Sequence, residues 1–217
     1  MMARHFWLIA FWILFGALHS VIASLWFKAW VKNLFGSWFR FYRLFYSAFS
    51  VLTLALILWF HFSIKSIRLW DVPPLTKPLA GLMLSAGIFL LLPCCLKYFK
   101  QVSGIGVWTK KDKTPVLEKD GLHGWVRHPL YLGTLIFIWA LFIFYPWLNG
   151  LVTCFMISAY TLIGIRWEEK KLVHEFGAAY EKYQQEVPMI LPFFRRRKLQ
   201  ESVRRSPHFS AGPPGKL

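Results

Sequence analysis

"RHPLYLGTLIFIWALFIFYPWLNGLVTCFMISAYTLIGIRWEE" runs from Arg127 to Glu169. It consists of two apolar runs, spanning about residues 129–166, parted by "FYPWLNG". Pro146, Asn149 and Gly150 supply turn chemistry there. The connection is short enough only for a tight helical hairpin. The first arm is short for a bilayer and is expected to tilt little or to end in the interface. In a hairpin the two outer ends share one face. Arg127, His128 and Tyr131 at the start of the first arm are therefore expected beside Arg166, Glu168 and Glu169 at the end of the second. Adjacent carboxylates on a helix point about 100° apart. One of the pair can face the bundle while the other faces solvent or a lysine.

Three further apolar runs lie upstream, at about 5–27, 44–64 and 78–97. With 56% hydrophobic and 19% aromatic residues in 217, clustered in this way, the sequence predicts an all-α membrane protein of about five transmembrane helices. Arg4 followed by an apolar run has the look of a signal peptide, but the apolar character continues through Trp26 and Phe27, a length that predicts a retained span. The formal net charge of +16 would suggest nucleic acid in a soluble chain. No basic-aromatic module accompanies it here. The cations crowd the ends of the apolar runs and the end of the chain, as anionic headgroups and topology signals require. Membrane lipids, and no nucleic acid, are the partners expected from charge. Cys94, Cys95 and Cys154 lie in or near apolar runs, without a zinc-type spacing, and are expected as free buried thiols.

Lysine and arginine set the expected orientation. Lys28, Lys32, Arg40 and Arg43 follow the first span, a larger group from Lys97 to Arg127 separates the third and fourth, and the segment after Arg166 is richer still. The opposite side holds Arg4, Lys65, Arg68 and Lys77. The N-terminus is thus expected outside and the C-terminus in the cytoplasm, in a bacterial inner membrane. After the fifth span, "RWEEKKLVHEFGAAYEKYQQEVP" predicts one cytoplasmic amphipathic helix, with Leu172, Val173, Phe176, Tyr180 and Tyr183 on its apolar stripe and Pro188 as its end. "MILPFF" is expected to dip back to the membrane before "RRRK". A membrane domain over 1–199 and a disordered basic tail over 200–217 follow from composition.

Interfacial anchoring accounts for Arg127, Arg166 and Tyr131 by residue type, and Glu168 has a possible surface partner in Lys171. What distinguishes the site is a pattern. "GLHGWVRHPLYLG", then an apolar hairpin, then "EEKKLVHEFGAAYEKYQQEVPMILPF", over about residues 121–193, resembles the isoprenylcysteine carboxyl methyltransferase and phospholipid methyltransferase superfamily. "LHSVIAS" at 18–24 and "YRLFYS" at 42–47 look like its branch with methanethiol S-methyltransferase, the NnrU proteins and nurim. The resemblance implies a membrane-embedded enzyme using S-adenosylmethionine, whose RHPxYxG and EE elements form the cofactor pocket. It thereby marks Arg127, His128, Pro129, Tyr131, Gly133, Glu168 and Glu169, with Tyr180 and Tyr183 as further candidates over the adenine. His19, an ionisable group inside a span, is a candidate for the substrate pocket together with Arg166. Gly16, Ser20 and Ser24 form a small-residue face suited to close helix contact. No catalytic base stands out, and no metal site is expected.

The "YPWLNG" turn departs from the Asn-Pro often seen in isoprenylcysteine enzymes, which turns the expectation toward another acceptor. A small or lipophilic thiol comes first, then a carboxylate or a lipid amine. The alternative is a non-catalytic nurim- or NnrU-like membrane protein. A transporter would want more polar groups at mid-membrane than His19 and His61.

Overall fold

The structure, a computed structural model, describes residues 2–102 and 116–191. Within them the chain is helical, with seven α-helices and no named strand. The basic stretch and tail beyond residue 191, and much of the loop before the RHPLYLG element, lie outside the described residues.

The first apolar run is α1, Met2–Ala23. It does not carry on through Trp26 and Phe27 as one span. Ser24 adopts an extended conformation and caps a second helix, α2, Leu25–Phe35, by accepting from the Phe27 amide at 3.4 Å. Gly36, at φ 51°, ends α2, and a 3-10 turn over Gly36–Phe41 leads into α3, Tyr42–Ser63. The third run is α4, Thr76–Val102. Pro129 opens α5, Pro129–Phe144, where its missing N–H costs nothing. The hairpin partner is α6, Leu148–Phe176.

Four runs are long and apolar enough to cross a bilayer: Met2–Ala23, Leu25–Ser63, Thr76–Lys97 and Leu148–Phe176. The 16-residue α5 is the shorter fifth, about 24 Å long at 1.5 Å per residue. Large apolar side chains such as Phe62, Trp59 and Phe89 stand more than 70% exposed, as lipid-facing residues do. The chain is an integral membrane protein.

The expected single amphipathic helix after the fifth span is corrected in two respects. Nothing between Arg166 and Phe176 breaks a helix, so that segment continues α6 without interruption. The break comes at Gly177, whose φ of 54° a residue with a side chain would resist, and α7 follows as Ala178–Glu186. The turn redirects the chain so that α7 folds back onto the end of α6.

Helix α4 lies along α5 through a pair of glycines. A Cβ on Gly87 would meet the Phe137 backbone nitrogen at 2.9 Å, and one on Gly133 would meet Leu90 and Leu91 at 3.0 Å. Helix α1 packs on α3 and α6 around Leu8, Trp12, Ile57 and Ile64. Gly16 admits the Tyr160 ring, and Ser20 pairs with the Tyr160 hydroxyl at 3.2 Å, so the small-residue face of α1 does receive α6. At the hairpin end of the bundle, Asn149 donates to the His61 carbonyl at 3.0 Å, His61 meets Thr153 at 2.9 Å, and Ser66 bridges His5 to the Asn149 amide. That network closes the face opposite the site.

Candidate functional site

The hairpin carries Arg127 and His128 to the same face as the carboxylates of α6. Arg127 holds Glu169 in a two-pronged ion pair, Nε to Oε1 at 2.7 Å and Nη2 to Oε2 at 3.0 Å. His128 Nε2 reaches Oε1 at 3.0 Å, the Tyr180 hydroxyl donates to Oε1 at 3.2 Å, and Gln184 donates to Oε2 at 2.9 Å. Glu169 therefore accepts from four residues on two segments, the head of α5 and α7. A carboxylate partner requires the His128 proton on Nε2. Burial, and after it the nearby Glu169 charge, push the Tyr180 phenol up from its ordinary value, so it remains a donor.

The rest of the Arg127 guanidinium reaches two backbone carbonyls, Gln184 at 3.0 Å and Val187 at 2.6 Å. The Arg127 and His128 amides bond to the Pro188 and Met189 carbonyls at 2.9 and 3.2 Å. The segment after α7 is thus laid down as a strap across the start of α5. Tyr183 is buried in the same corner, donating to the His123 carbonyl at 2.6 Å, while His123 meets the Arg127 carbonyl at 3.1 Å. Burial holds the His123 imidazole below its ordinary value of 6.5, partly offset by the Arg127 carbonyl.

Glu168 is placed differently. One turn-step round α6, it brings Oε2 to 3.9 Å from His128 Nδ1. That oxygen is buried, with no hydrogen-bond partner, although the side chain as a whole is 43% exposed. Tyr131, half-buried on α5, is a hydrogen-bond partner of the Glu168 carboxylate and stands within electrostatic reach of the Tyr160 and Tyr46 phenols.

Two cavities flank the cluster. One, of about 560 Å³, is lined by Arg166, Trp167, Glu169, Lys170, Val173 and Gln184. The other, of about 520 Å³, lies between Leu135, Leu162, Gln184 and the strap from Val187 to Leu191. Either is the size of a small-molecule site.

The structure thus brings Arg127, His128, Glu168, Glu169 and Tyr180 together. Pro129 is buried at the head of α5, Gly133 is turned to α4, and Tyr183 is turned to His123. His19 belongs to a second cluster deeper in the bundle, with Tyr46 and Ser50 of α3. Gln184, Tyr46 and Tyr160 were not singled out by sequence. The available signal was partial: Tyr46 lies in the "YRLFYS" stretch, and Gln184 follows Tyr183 without any motif of its own.

A family model described as NnrU protein matches residues 7–197, and the chain belongs to that family. It is 35% identical over 195 residues to a methanethiol S-methyltransferase of a Pseudomonas species, a match covering 82% of this chain and 70% of that one. A methanethiol S-methyltransferase of Crocosphaera subtropica is 31% identical over 191 residues, covering 85% and 73%. The protein-S-isoprenylcysteine O-methyltransferase of Saccharomyces cerevisiae is 39% identical over 90 residues, covering 40% and 37%. No solved structure matches. Methyl transfer is common to these names, and the chain is a membrane methyltransferase.

Proposed function

We propose that the protein transfers a methyl group from S-adenosylmethionine to a small or lipophilic thiol reached from the bilayer, at the face where Arg127, His128, Glu168 and Glu169 meet. The observation that carries this is the Glu168 Oε2 atom, buried without a hydrogen-bond partner. A buried carboxylate oxygen left without a donor is costly. Glu169 beside it has its donors already and Tyr131 is a hydrogen-bond partner of the Glu168 carboxylate, so among the described residues it is the Oε2 atom of Glu168 that lacks a donor.

S-adenosylmethionine fits that vacancy in donors. Its ammonium and its ribose hydroxyls suit Glu168. Its carboxylate suits the amides at the Pro129-opened start of α5. Its adenine suits the more apolar space between Leu135, Leu162 and the strap. When bound it supplies a methyl already activated on a sulfonium, so the protein has to bind, orient and exclude water. In this division of labour Glu168, with Tyr131 bonded to it, faces the ligand from the His128 side of α6, and Arg166 lines the neighbouring cavity. Arg127, Glu169, His128, Tyr180 and Gln184 hold the wall, Tyr183 ties the wall to the loop before α5, and Gly133 seats α5 on α4. The names of the relatives matched over most of their length favour a thiol over the carboxylate of the isoprenylcysteine enzymes. The distribution of lysine and arginine favours a cytoplasmic site face in a bacterial inner membrane.

Calorimetry on the purified protein in detergent, with S-adenosylmethionine and with S-adenosylhomocysteine, tests the donor. Thioether formation from methanethiol or ethanethiol, followed by headspace chromatography, tests the acceptor. Saturating donor that gives neither heat nor a thermal shift would overturn the proposal.

A further inference from the structure

The two stretches that mark the first half of the chain, "LHSVIAS" and "YRLFYS", meet in space. The meeting has a hydrogen-bond order that can be worked out atom by atom. The Ser50 hydroxyl donates its proton to the Tyr46 carbonyl at 2.8 Å. With its proton so placed, it accepts from His19 Nδ1, which lies 3.1 Å away. That fixes the neutral His19 tautomer with its proton on Nδ1 and a lone pair on Nε2. Nε2 faces the Tyr46 hydroxyl at 2.5 Å, so the phenol donates to it. The order is Tyr46 O–H to His19 Nε2, His19 Nδ1–H to Ser50, and Ser50 O–H to the backbone. With its own proton donated to the imidazole, the Tyr46 oxygen is an acceptor, within hydrogen-bond reach of the Ser50 hydroxyl and with a further lone pair for an incoming donor.

The group lies deeper in the bundle than the proposed donor site, beside Tyr160 of α6. Tyr160 lies eight residues before Glu168 on α6, about 12 Å deeper in the bundle. Its ring stands 6.2 Å from the His19 ring and edge-on to it. Tyr131 is within electrostatic reach of Glu168 on one side and of Tyr160 and Tyr46 on the other. Tyr131 thus stands between the proposed donor site and the His19 cluster. His19, Tyr46 and Ser50 are all half-buried, not sealed into the core. Tyr42, from the same stretch, is bonded to the Ile22 carbonyl instead, which holds α3 against the end of α1 and leaves Tyr46 as the relay phenol.

We infer that Tyr46 and His19 form a proton relay that deprotonates the acceptor thiol, with Ser50 as the residue that positions the imidazole. The inference rests on the thiol methylation proposed above. The thiol S–H bond breaks and its proton passes to the Tyr46 oxygen. The Tyr46 proton passes to His19 Nε2, making an imidazolium that later returns a proton to solvent. The electron pair left on the acceptor sulfur forms the new S–CH3 bond. The sulfonium–methyl bond breaks, and its pair stays on the donor sulfur, leaving two neutral thioethers. Proton transfer by a positioned group accelerates such a step by about 10²–10⁴-fold.

The experiment compares two acceptors in purified wild-type protein and in the Tyr46→Phe, His19→Gln and Ser50→Ala variants. Ethanethiol is protonated at neutral pH and needs the relay. An electron-poor aromatic thiol is already ionised and does not. The expected result is a fall in kcat of about 100-fold or more with ethanethiol for Tyr46→Phe and His19→Gln, and a smaller fall for Ser50→Ala. The aromatic thiol should be turned over within about threefold of wild type. Calorimetric donor binding and the thermal unfolding midpoint should not change, and they check that each variant is folded. Equal losses on both thiols with donor binding intact would assign these residues a structural role and overturn the relay. Full activity of Tyr46→Phe on ethanethiol would overturn it as well. A wild-type protein that binds the donor but methylates neither thiol refutes the thiol acceptor itself, and the relay with it.

Discussion

The two adjacent carboxylates of α6 should separate cleanly on mutation, because one organises the site and the other is left with a free oxygen. Glu169→Gln keeps the size of the side chain and removes its charge. Placing the new amide nitrogen at the Oε2 position turns a donor toward Arg127 Nη2 and Gln184 Nε2, which now donate to that oxygen. Arg127 is only 9% exposed at its side chain and Glu169 15%, so water cannot replace what is lost. Removing one partner of a buried ion pair costs about 3–5 kcal/mol. Arg127 retains the Gln184 and Val187 carbonyls, which places the cost near the lower end, about 3 kcal/mol. At roughly 2–4 °C per kcal/mol for a chain of this size, the unfolding midpoint should fall by about 6–12 °C. Glu168→Gln removes a charge from a side chain that is 43% exposed and whose Oε2 has no hydrogen-bond partner. Its effect on stability should stay below about 1 kcal/mol, well under that of Glu169→Gln, since Oε2 has no donor to lose and Tyr131 can bond an amide oxygen as well. Its effect on donor affinity should be the loss of a charged hydrogen bond, about 1–3 kcal/mol, or roughly 5- to 150-fold in Kd. Thermal unfolding without ligand and calorimetric titration with S-adenosylhomocysteine, both in detergent, give the two numbers. A Glu168→Gln protein that unfolds as early as Glu169→Gln and binds the ligand as wild type would refute the assignment.

Gly87→Ala should destabilise the protein by about 1–3 kcal/mol without changing donor affinity, since the added Cβ meets the Phe137 backbone at 2.9–3.0 Å and a backbone cannot turn aside; thermal unfolding with and without ligand checks both halves. His123 is held below its ordinary 6.5 by burial, so folding prefers its neutral form; its contribution is fully present above 6.5 and is lost as the pH falls from there toward the depressed folded value. The unfolding midpoint should therefore drop between about pH 7 and pH 5, with a shallower slope in His123→Gln. Orientation can be read from single cysteines in a background free of Cys94, Cys95 and Cys154. Asp71 and Lys182 have side chains 95% and 70% exposed at opposite ends of the bundle, and a membrane-impermeant thiol reagent on intact cells should label Asp71→Cys and spare Lys182→Cys.

The hairpin was legible because its turn chemistry and length leave one solution, and Arg127 meeting Glu169 at 2.7 Å follows directly from it. The apolar runs at 44–64 and 78–97 likewise fall on α3 and α4. Ser24 was counted with the small-residue face of α1, but its hydroxyl can also cap a helix, and the apolar residues beyond it concealed the break before α2. Gly177 was hidden by the stripe it interrupts: Tyr180 keeps its helical spacing from Glu169 in sequence, yet it reaches Oε1 only because the chain turns back. Sequence could not say which of two adjacent glutamates has spare acceptors, since that depends on Gln184 and the strap, which no periodicity connects to α6. Nor could it pair His19 with Tyr46, because contacts between spans leave no trace in the spacing within either.

The two ends of the bundle also differ in a way that locates the chemistry. A polar group at membrane depth must find its partners inside the protein. At the hairpin end, Thr153 receives both Trp12 and His61, Asn149 is bonded to His61, and Ser66 joins His5 to the Asn149 amide. Those bonds tie α1, α3 and α6 to one another with side chains that serve each other. At the other end the same economy fails, among the described residues, at one named atom, and a second group is left able to accept. Glu168 Oε2 has no donor, and the Tyr46 oxygen has given its proton to His19 while retaining a further lone pair. Both stand on the side where Tyr131 bridges the two clusters. Packing alone does not require a buried acceptor left short of a donor where the other buried side-chain polar atoms of the described residues have partners. A ligand that brings an ammonium or hydroxyls to Glu168, and another that brings a thiol proton to Tyr46, would complete both at once.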